Sequence, residues 1–181
     1  METLEKIFAA KLLKVKAIKL QPTNPFTWAS GWKSPFYCDN RKTLSYPELR
    51  NFVKIEIGRL IAERFPEADA IAGVATGAIP QGALVADLLN LPFVYVRSKP
   101  KDHGLENLIE GELKPEVSGM VAAYTYGFDV AAQAFKAANV KLITLTNYEA
   151  VVAEAVRIGY IDPSDVEVLN EWRKDPAHWN G

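Results

Sequence analysis

The chain has 181 residues, of which 49% are hydrophobic and 24% are charged, and these values are ordinary for a soluble globular protein. Its 21 lysines and arginines nearly balance its 22 aspartates and glutamates, so net charge does not favour a nucleic-acid or membrane-surface partner. The single cysteine, Cys38, excludes an intramolecular disulfide and favours a reduced, cytoplasmic setting, with Cys38 as a small buried side chain. No apolar run reaches the ~18 residues of a membrane span, and the first residues lack the features of a signal peptide.

The N-terminal part of the chain contains two predicted helices separated by an irregular segment. Apolar residues at helical spacing predict an amphipathic helix over residues 3–16. Residues 20–44 are rich in Pro, Gly, Ser, Asn and aromatic residues, which is typical of loops and short strands. The second helix is predicted to begin near Ser45, because Ser45 and Glu48 have capping-box spacing and Pro47 suits a first helical turn.

From residue 69 onward the pattern changes to alternating strands and helices. Apolar runs predict strands over 69–75, 93–97, 117–124 and 141–145, and helical patterns predict helices over 81–89, 129–138 and 148–158. The first run is continuously apolar, which is typical of a strand buried on both faces. The alternation predicts an α/β fold with a mostly parallel sheet and with ligands at the carboxyl ends of its strands.

A basic loop follows the predicted strand 93–97. Arg97, Lys99, Lys101 and His103 stand within seven residues of one another, directly after the carboxyl end of that strand. A diphosphate needs several cations to stabilise it, and a loop can bring them in after the ligand binds and exclude water. His103 can donate a hydrogen bond or a proton to a leaving diphosphate oxygen. A solvated basic loop is the alternative, and composition alone gives both interpretations about equal weight.

Two further segments offer polar groups to an anionic ligand. The turn over residues 74–80 leads from a strand into a helix, so its N–H groups can face an anion, although a tight turn alone also explains its small residues. Residues 27–41 contain Ser30 and Lys33 beside the flat rings of Phe36 and Tyr37, where a planar anionic ring can stack. A packed N-terminal subdomain held together by aromatic residues is the alternative, and the residues alone favour it.

Together these segments resemble the orotate phosphoribosyltransferases over nearly the whole chain. The stretch NPFTWASGWKSPFYCDNR resembles the family's N-terminal signature, AIAGVATGAIPQGALVAD its first core strand and diphosphate-side turn, and LPFVYVRSKPKDHGL with IEG its second strand and mobile loop. MVAAYTYGFDVAAQAF and VKLITLTNY resemble its later strands and helices. The resemblance implies the type I phosphoribosyltransferase fold, a parallel sheet flanked by helices with a small N-terminal hood. It also implies a single domain, with hood and first helix over 1–44, a core over 45–159 with a mobile loop at 98–111, and a tail over 160–181.

The same resemblance implies an activity and a set of site residues. The family transfers a 5-phosphoribosyl group from phosphoribosyl diphosphate (PRPP) to orotate, yielding orotidine 5′-monophosphate and diphosphate in UMP biosynthesis. Mg²⁺ is bound mainly through PRPP rather than by protein ligands, and members are homodimers whose mobile loop reaches the neighbouring site. Carried over to this sequence, the diphosphate contacts are Arg97, Lys101 and His103, with Lys99 a weaker candidate, and Lys101 and His103 are catalytic. Thr76 and Gly77 fall on the diphosphate turn, and Ser30, Lys33 and Tyr37 fall near orotate. Ala29 stands where some members carry a lysine, so that lysine's role is not carried over.

One unit of the family pattern is missing from the sequence. The family has a strand ending in two acidic residues and then a Thr/Ser-Gly-rich turn that opens a helix, and this unit contacts the ribose and 5-phosphate of PRPP. Here Leu113-Lys-Pro115 is followed at once by Glu116-Val-Ser-Gly-Met120, so the gap maps to the junction of Pro115 and Glu116. Its expected size is roughly 30 residues, one strand with its crossover helix.

The gap leaves alternatives open. Either the protein contains the unit and this sequence omits it, or the unit is deleted. The function is then either active orotate phosphoribosyl transfer or that of a non-catalytic family member that keeps the fold and the dimer. A purine-type phosphoribosyltransferase is a more distant alternative, and the stretch WASGWKSP argues against it.

Overall fold

The computed structural model describes residues 3–97, 108–112 and 116–180, and these residues form two compact units. Unit 1 contains the described residues up to Lys42, with Tyr124–Gln133 and those from Thr144 onward, and unit 2 contains the described part of Thr43–Ala123 with Ala134–Ile143. The helices are α1 Leu4–Lys14, α2 Pro47–Arg64, α3 Ile79–Leu89, α4 Asp129–Ala137, α5 Tyr148–Arg157 and α6 Asp165–Lys174. The strands are β1 Ile18–Leu20, β2 Phe26–Thr27, β3 Lys33–Ser34, β4 Phe36–Cys38, β5 Ile71–Val74, β6 Phe93–Val96, β7 Ile109–Glu110, β8 Gly119–Thr125 and β9 Lys141–Asn147.

Each helix and strand predicted individually from the sequence is present, with its ends shifted by a few residues. The capping box predicted at Ser45 and Glu48 is wrong. Ser45 ends a 3₁₀ helix that begins at Asn40, and Tyr46 takes the cap position of α2 without a side-chain hydrogen bond. Pro47 lies in the first turn of α2, as its fixed φ angle favours. Within the described ranges, no helix is long and apolar enough to cross a membrane.

The sheet of unit 2 has the order β5-β6-β7. β5 and β6 are parallel, with Ile71 opposite Phe93 and Val74 opposite Val96. β7 returns antiparallel to β6 and pairs Glu110 with Tyr95. The sequence predicts a continuous loop over 98–111, whereas the structure pairs the C-terminal part of that segment with the sheet.

β5 is buried on one face only. Ile71 and Gly73 face α3, where Ile71 packs with Val85 of that helix, whereas Ala72 on the opposite face is exposed and Val74 is 48% exposed. The prediction that this strand is buried on both faces is therefore wrong for the Ala72 and Val74 face. The apolar sequence of β5 indicates that a further layer covers the face of Ala72 and Val74. The described residues do not provide that layer.

The strands predicted to form one mostly parallel sheet lie in two sheets. β8 and β9 form a separate two-stranded sheet and are joined through α4. In the described part of the chain, neither strand of this pair is hydrogen-bonded to the β5-β6-β7 sheet. The expected α/β architecture is thus present, but its sheet is interrupted.

Unit 1 is built around packed helices and an aromatic cluster. α1 packs against α5, and the Thr146 hydroxyl donates to the Glu5 carbonyl at 2.9 Å. Trp172 of α6 is fully buried, with its ring 6.4 Å from and nearly parallel to Phe36. The Tyr148 hydroxyl donates to the Leu169 carbonyl at 2.7 Å. The segment that the family resemblance implies is a tail, residues 160–181, therefore contributes a helix and a core residue to this unit.

Replacing Trp172 by alanine is expected to lower the free energy of unfolding by about 3–5 kcal/mol, because a fully buried aromatic side chain is removed and a cavity remains. Trp32→Ala is the matched control, since Trp32 is 43% exposed and its removal is expected to cost less than about 0.5 kcal/mol. Urea titration followed by circular dichroism measures both values. Equal losses for the two variants would contradict the placement of Trp172 in the core.

Candidate active site

The carboxyl ends of β5 and β6 lie side by side. The Ala75 N–H donates to the Val96 carbonyl at 2.7 Å, so the residues that follow each strand emerge at the same edge of the sheet. On the β5 side these are Thr76 and Gly77, and on the β6 side it is Arg97. The structure therefore brings together three of the predicted substrate-binding residues within unit 2.

The Thr76–Gly77 turn leads directly into the N-terminus of α3. Both residues are exposed, and Ala78 caps the helix with no side-chain hydrogen bond. The turn lies tightly against the strand, because a Cβ atom on Gly73 would come within 3.0 Å of the Ala78 carbonyl oxygen. A helix N-terminus carries partial positive charge, so an exposed one favours an anion at this turn. The Ala78 and Ile79 N–H groups already donate to the Val74 and Thr76 carbonyls, so the favourable effect here is electrostatic.

Arg97 is held at the base of the basic loop. Its N–H donates to the Leu108 carbonyl at 2.8 Å, and its guanidinium lies 3.6 Å from the Glu110 carboxylate on β7. The Arg97 side chain is about one third exposed, so it combines an anchored backbone with access to solvent. The sequence analysis assigned no role to Glu110. Its position directly after the apolar residue Ile109 is typical of a short strand.

The remaining cations of the basic loop, Lys99, Lys101 and His103, lie outside the described residues. The two ends of their segment are fixed by the sheet, since Val96 pairs with Ile109. The described residues on either side of this segment, Arg97 and Leu108, are hydrogen-bonded to each other. Diphosphate contacts by these three side chains stay a prediction.

The residues predicted near orotate lie in unit 1. β2 and β3 form a hairpin in which Thr27 pairs with Lys33. At its tip the Ser30 hydroxyl accepts the Trp32 N–H at 3.4 Å, so Ser30 supports the turn itself. Lys33 is exposed, and Tyr37 is half-buried with its ring 5.5 Å from Phe26. Ser30, Lys33 and Tyr37 thus share one part of unit 1.

Two charged residues near this segment are already engaged with each other. Arg41 donates from Nε to the Asp39 carboxylate at 2.7 Å. The hydrogen bond from Arg41 holds the pKa of Asp39 below its usual range. Arg41 is therefore a partner of Asp39 rather than an unengaged cation for a ligand.

Cys38 has the character of a structural thiol. It is partly buried on β4, and burial together with the neighbouring Asp39 carboxylate raises its pKa to about 12. A thiol with such a pKa carries almost no thiolate at neutral pH, which excludes nucleophilic catalysis by Cys38 under those conditions.

A second cationic centre in unit 1 was missed by sequence reasoning. The Arg173 guanidinium forms an ion pair with Glu149 at 2.6 Å and lies 4.9 Å from the centre of the Tyr148 ring. It also donates to the Tyr126 carbonyl at 3.1 Å. A sequence signal was present, because Leu169 and Trp172 are three residues apart and indicate a buried helix face that orients the adjacent Arg173.

The described residues offer no protein cage for a metal ion. Among them, no group of three His, Cys, Asp or Glu side chains is arranged to hold one. Mg²⁺ commonly binds through substrate phosphates with few protein carboxylates.

The chain is similar to several curated proteins. It is 68% identical to the orotate phosphoribosyltransferase of Bacteroides thetaiotaomicron over 209 aligned positions, covering 99% of each chain. It is 59% identical to that of Porphyromonas gingivalis, again over 99% of each chain, and 42% identical to that of Listeria innocua over 98% of this chain and 99% of the relative. No protein-family model matches the chain.

Solved structures agree on the fold. The orotate phosphoribosyltransferase of Francisella tularensis matches with a TM-score of 0.67 at 15% identity, covering 93% of this chain and 98% of that one. Leishmania donovani UMP synthase matches with a TM-score of 0.71 at 18% identity, covering 94% of this chain and 42% of that one. The type I phosphoribosyltransferase fold expected from the sequence is confirmed.

The aligned lengths bear on the missing unit. The alignment with the B. thetaiotaomicron relative spans 209 positions, whereas this chain has 181 residues, so at least 28 aligned positions have no residue in this chain. A shortfall of this size agrees with one strand-and-helix unit of roughly 30 residues. The location of the gap at the junction of Pro115 and Glu116 stays a prediction, because Pro115 lies outside the described residues.

The accessibility of Cys38 can be measured directly, since it is the only cysteine. A rise in pKa from 9.0 to about 12 lowers the thiolate fraction at pH 8 by about 10³-fold. Alkylation of the folded chain by iodoacetamide, followed by mass spectrometry, is therefore expected to be at least 10²-fold slower than alkylation in urea. Rates within tenfold of each other would show that the thiol is neither buried nor suppressed.

Proposed function

The chain belongs to the orotate phosphoribosyltransferase family, and we propose that it binds PRPP at the carboxyl edge of β5 and β6 and transfers the phosphoribosyl group to orotate. The observation that carries this proposal is the adjacency of the Thr76–Gly77 turn and Arg97, fixed by the bond between Ala75 and Val96. A helix N-terminus and a guanidinium on neighbouring strands form an anion site of the kind a diphosphate requires.

In the proposed reaction the bond between ribose C1 and the diphosphate oxygen breaks as a bond from orotate N1 to C1 forms, and the proton on N1 passes to water or to the leaving diphosphate. Negative charge develops on the leaving diphosphate, so cations that contact it stabilise the transition state more than the ground state. Arg97 supplies one such charge from the sheet edge. Lys101 and His103, with Lys99 a weaker participant, supply the others from the loop, and His103 donates a hydrogen bond or a proton to the leaving oxygen.

We assign the orotate side of the reaction to Ser30, Lys33 and Tyr37. Lys33 is exposed and can pair with the orotate carboxylate, and the Tyr37 ring offers a face for stacking. The Ser30 hydroxyl accepts a bond from the Trp32 N–H, so its contribution is mainly to hold the hairpin that presents Lys33. Mg²⁺ would be held by the phosphate oxygens of PRPP and would offset part of their charge. A cytoplasmic homodimer, as the family resemblance implies, remains part of the proposal.

The assay is the loss of orotate absorbance on mixing the chain with orotate, PRPP and Mg²⁺. We expect turnover by the 181-residue chain with a KM for PRPP at least tenfold above that of a chain in which the 28 or more unmatched positions of the B. thetaiotaomicron relative are inserted after Pro115. Each lost charge-assisted hydrogen bond to a phosphate costs about 1.5–3 kcal/mol, and 1.4 kcal/mol corresponds to tenfold in affinity. No turnover by either chain would refute the proposed function.

Arg97→Ala is expected to lower kcat/KM by about 10²-fold, because a partly desolvated charge-assisted contact to the leaving group is removed. Arg59→Ala is the matched control, since Arg59 lies on the exposed side of α2 and pairs only with Glu56 and Glu63 in the interactions that the structure describes for it. Its kcat/KM is expected to stay within twofold of the parent value. Similar losses in both variants would mean that Arg97 acts through general stability and not through the substrate.

A further inference from the structure

The turn that follows β8 is held by an arginine of α6. Tyr126, Gly127 and Phe128 connect the carboxyl end of β8 to α4. The Arg173 Nε donates to the Tyr126 carbonyl at 3.1 Å, and its Nη2 donates to the Gly127 carbonyl at 3.4 Å. A guanidinium is a rigid planar fork, so bonds to two consecutive carbonyls fix the path of the backbone as well as its distance from α6.

Arg173 is itself fixed in position. The preceding residue, Trp172, is fully buried, and so is Leu169 one turn earlier in α6. The Arg173 guanidinium lies 4.9 Å from the centre of the Tyr148 ring, and its Nη1 pairs with Glu149 at 2.6 Å. All three guanidinium nitrogens therefore have partners within unit 1, which suits Arg173 to holding the turn rather than to contacting a ligand.

Gly127 fits the turn to the guanidinium. Its φ angle is +69°, a conformation that favours glycine, and a Cβ atom there would come within 2.8 Å of the Arg173 Nη2. Its N–H donates to the Thr125 hydroxyl at 3.0 Å. Glycine thus supplies both the backbone conformation and the space that the arginine occupies.

The turn carries an aromatic ring that packs against the β2–β3 hairpin. The Tyr126 ring lies 6.0 Å from the Trp28 ring in an edge-to-face arrangement. Within the hairpin, the Trp28 N–H donates to the Trp32 carbonyl at 2.9 Å and the Gly31 N–H donates to the Trp28 carbonyl at 2.8 Å. Trp28 therefore joins the hairpin tip to the turn. An isolated two-stranded hairpin is marginally stable at best, so this one depends on contacts with the rest of its unit.

We propose that Arg173 is a positioning residue: by holding the turn after β8, it keeps the Tyr126 ring against Trp28 and so keeps the hairpin that presents Lys33 in one place. The effect on the hairpin needs no ligand. Its consequence for orotate rests on the proposed function, in which Lys33 pairs with the orotate carboxylate. A hairpin that is in place for about one tenth of the time raises the apparent Kd for orotate about tenfold, although no side chain that contacts orotate has changed.

Four variants separate the fork from its charge. Arg173→Met keeps the apolar length of the side chain and removes every donor, whereas Arg173→Lys keeps the charge but not the fork that reaches two carbonyls. Glu149→Gln removes only the ion pair, and the Glu149 side chain is 62% exposed. Lys174→Met is the matched control, because Lys174 is the next residue of α6 and its side chain is 70% exposed.

The first measurement is amide hydrogen exchange of each chain by NMR, without ligand. We expect the Trp28 and Gly31 N–H groups to exchange at least tenfold faster in both Arg173 variants, because a hairpin released from the turn opens more often. The Gln21 N–H, which donates to the Pro35 carbonyl in the same unit, is the internal reference and is expected to stay within threefold. The other two variants are expected to match the parent within twofold at all three amides.

The second measurement is equilibrium dialysis of the same chains with radiolabelled orotate. We expect the Kd for orotate to rise at least tenfold in Arg173→Met and Arg173→Lys, since the population of the binding-competent hairpin falls. Glu149→Gln and Lys174→Met are expected to stay within twofold, because exposed ion pairs contribute little.

Three outcomes overturn the positioning role. One is unchanged exchange of the hairpin amides in Arg173→Met. Another is equal acceleration at Gln21, which would mean a general loss of stability. A third is a hairpin that opens faster while the Kd for orotate stays within twofold. Parent-like behaviour of Arg173→Lys in both measurements would contradict the fork. If the parent chain binds no orotate, the proposed function is refuted, and the exchange rates still decide whether Arg173 holds the hairpin.

Discussion

The parallel pairing of β5 with β6 is the constraint on which the candidate site depends. A single backbone bond, from the Ala75 N–H to the Val96 carbonyl, aligns the ends of the two strands. The Thr76–Gly77 turn and Arg97 follow those ends directly, so their proximity is a consequence of strand register. Phe93 strengthens the arrangement, because its ring lies where side chains on Gly73 or Gly82 would clash. The proposed anion site at this edge therefore depends on strand register, which places Arg97 beside the Thr76–Gly77 turn.

Strand β5 also has an uncovered face and, within the described residues, an unpaired edge. β5 carries an apolar sequence suited to two covered faces, yet Val74 is 48% exposed and its outer edge is unpaired within the described residues. An exposed apolar strand edge is a template for pairing with another chain. Burying one valine side chain stabilises a protein by about 1.5–3 kcal/mol, so the uncovered face is a substantial loss.

Most element positions could be predicted from the sequence, because apolar periodicity is a local signal. The meeting of Thr76 and Arg97 could also be predicted, since it needs only two consecutive parallel strands with ligands at their carboxyl ends. The burial of β5 on one face only could not be predicted, because burial depends on which elements are present to cover a strand. The full burial of Trp172 in a segment that is mostly polar was missed for the same reason. The Ser45 cap failed because a 3₁₀ turn competes for the same residues.

The openness of the outer edge of β5 is the central claim, and amide hydrogen exchange of the free chain by NMR tests it most directly. If the edge is open, the N–H groups of Ala72 and Val74 exchange at rates close to those of exposed loops. The N–H groups of Ile71 and Ala75, which donate towards β6, exchange at least 10²-fold more slowly. Equal and strong protection of all four amides would contradict the claim, because it would require a strand bonded along that edge.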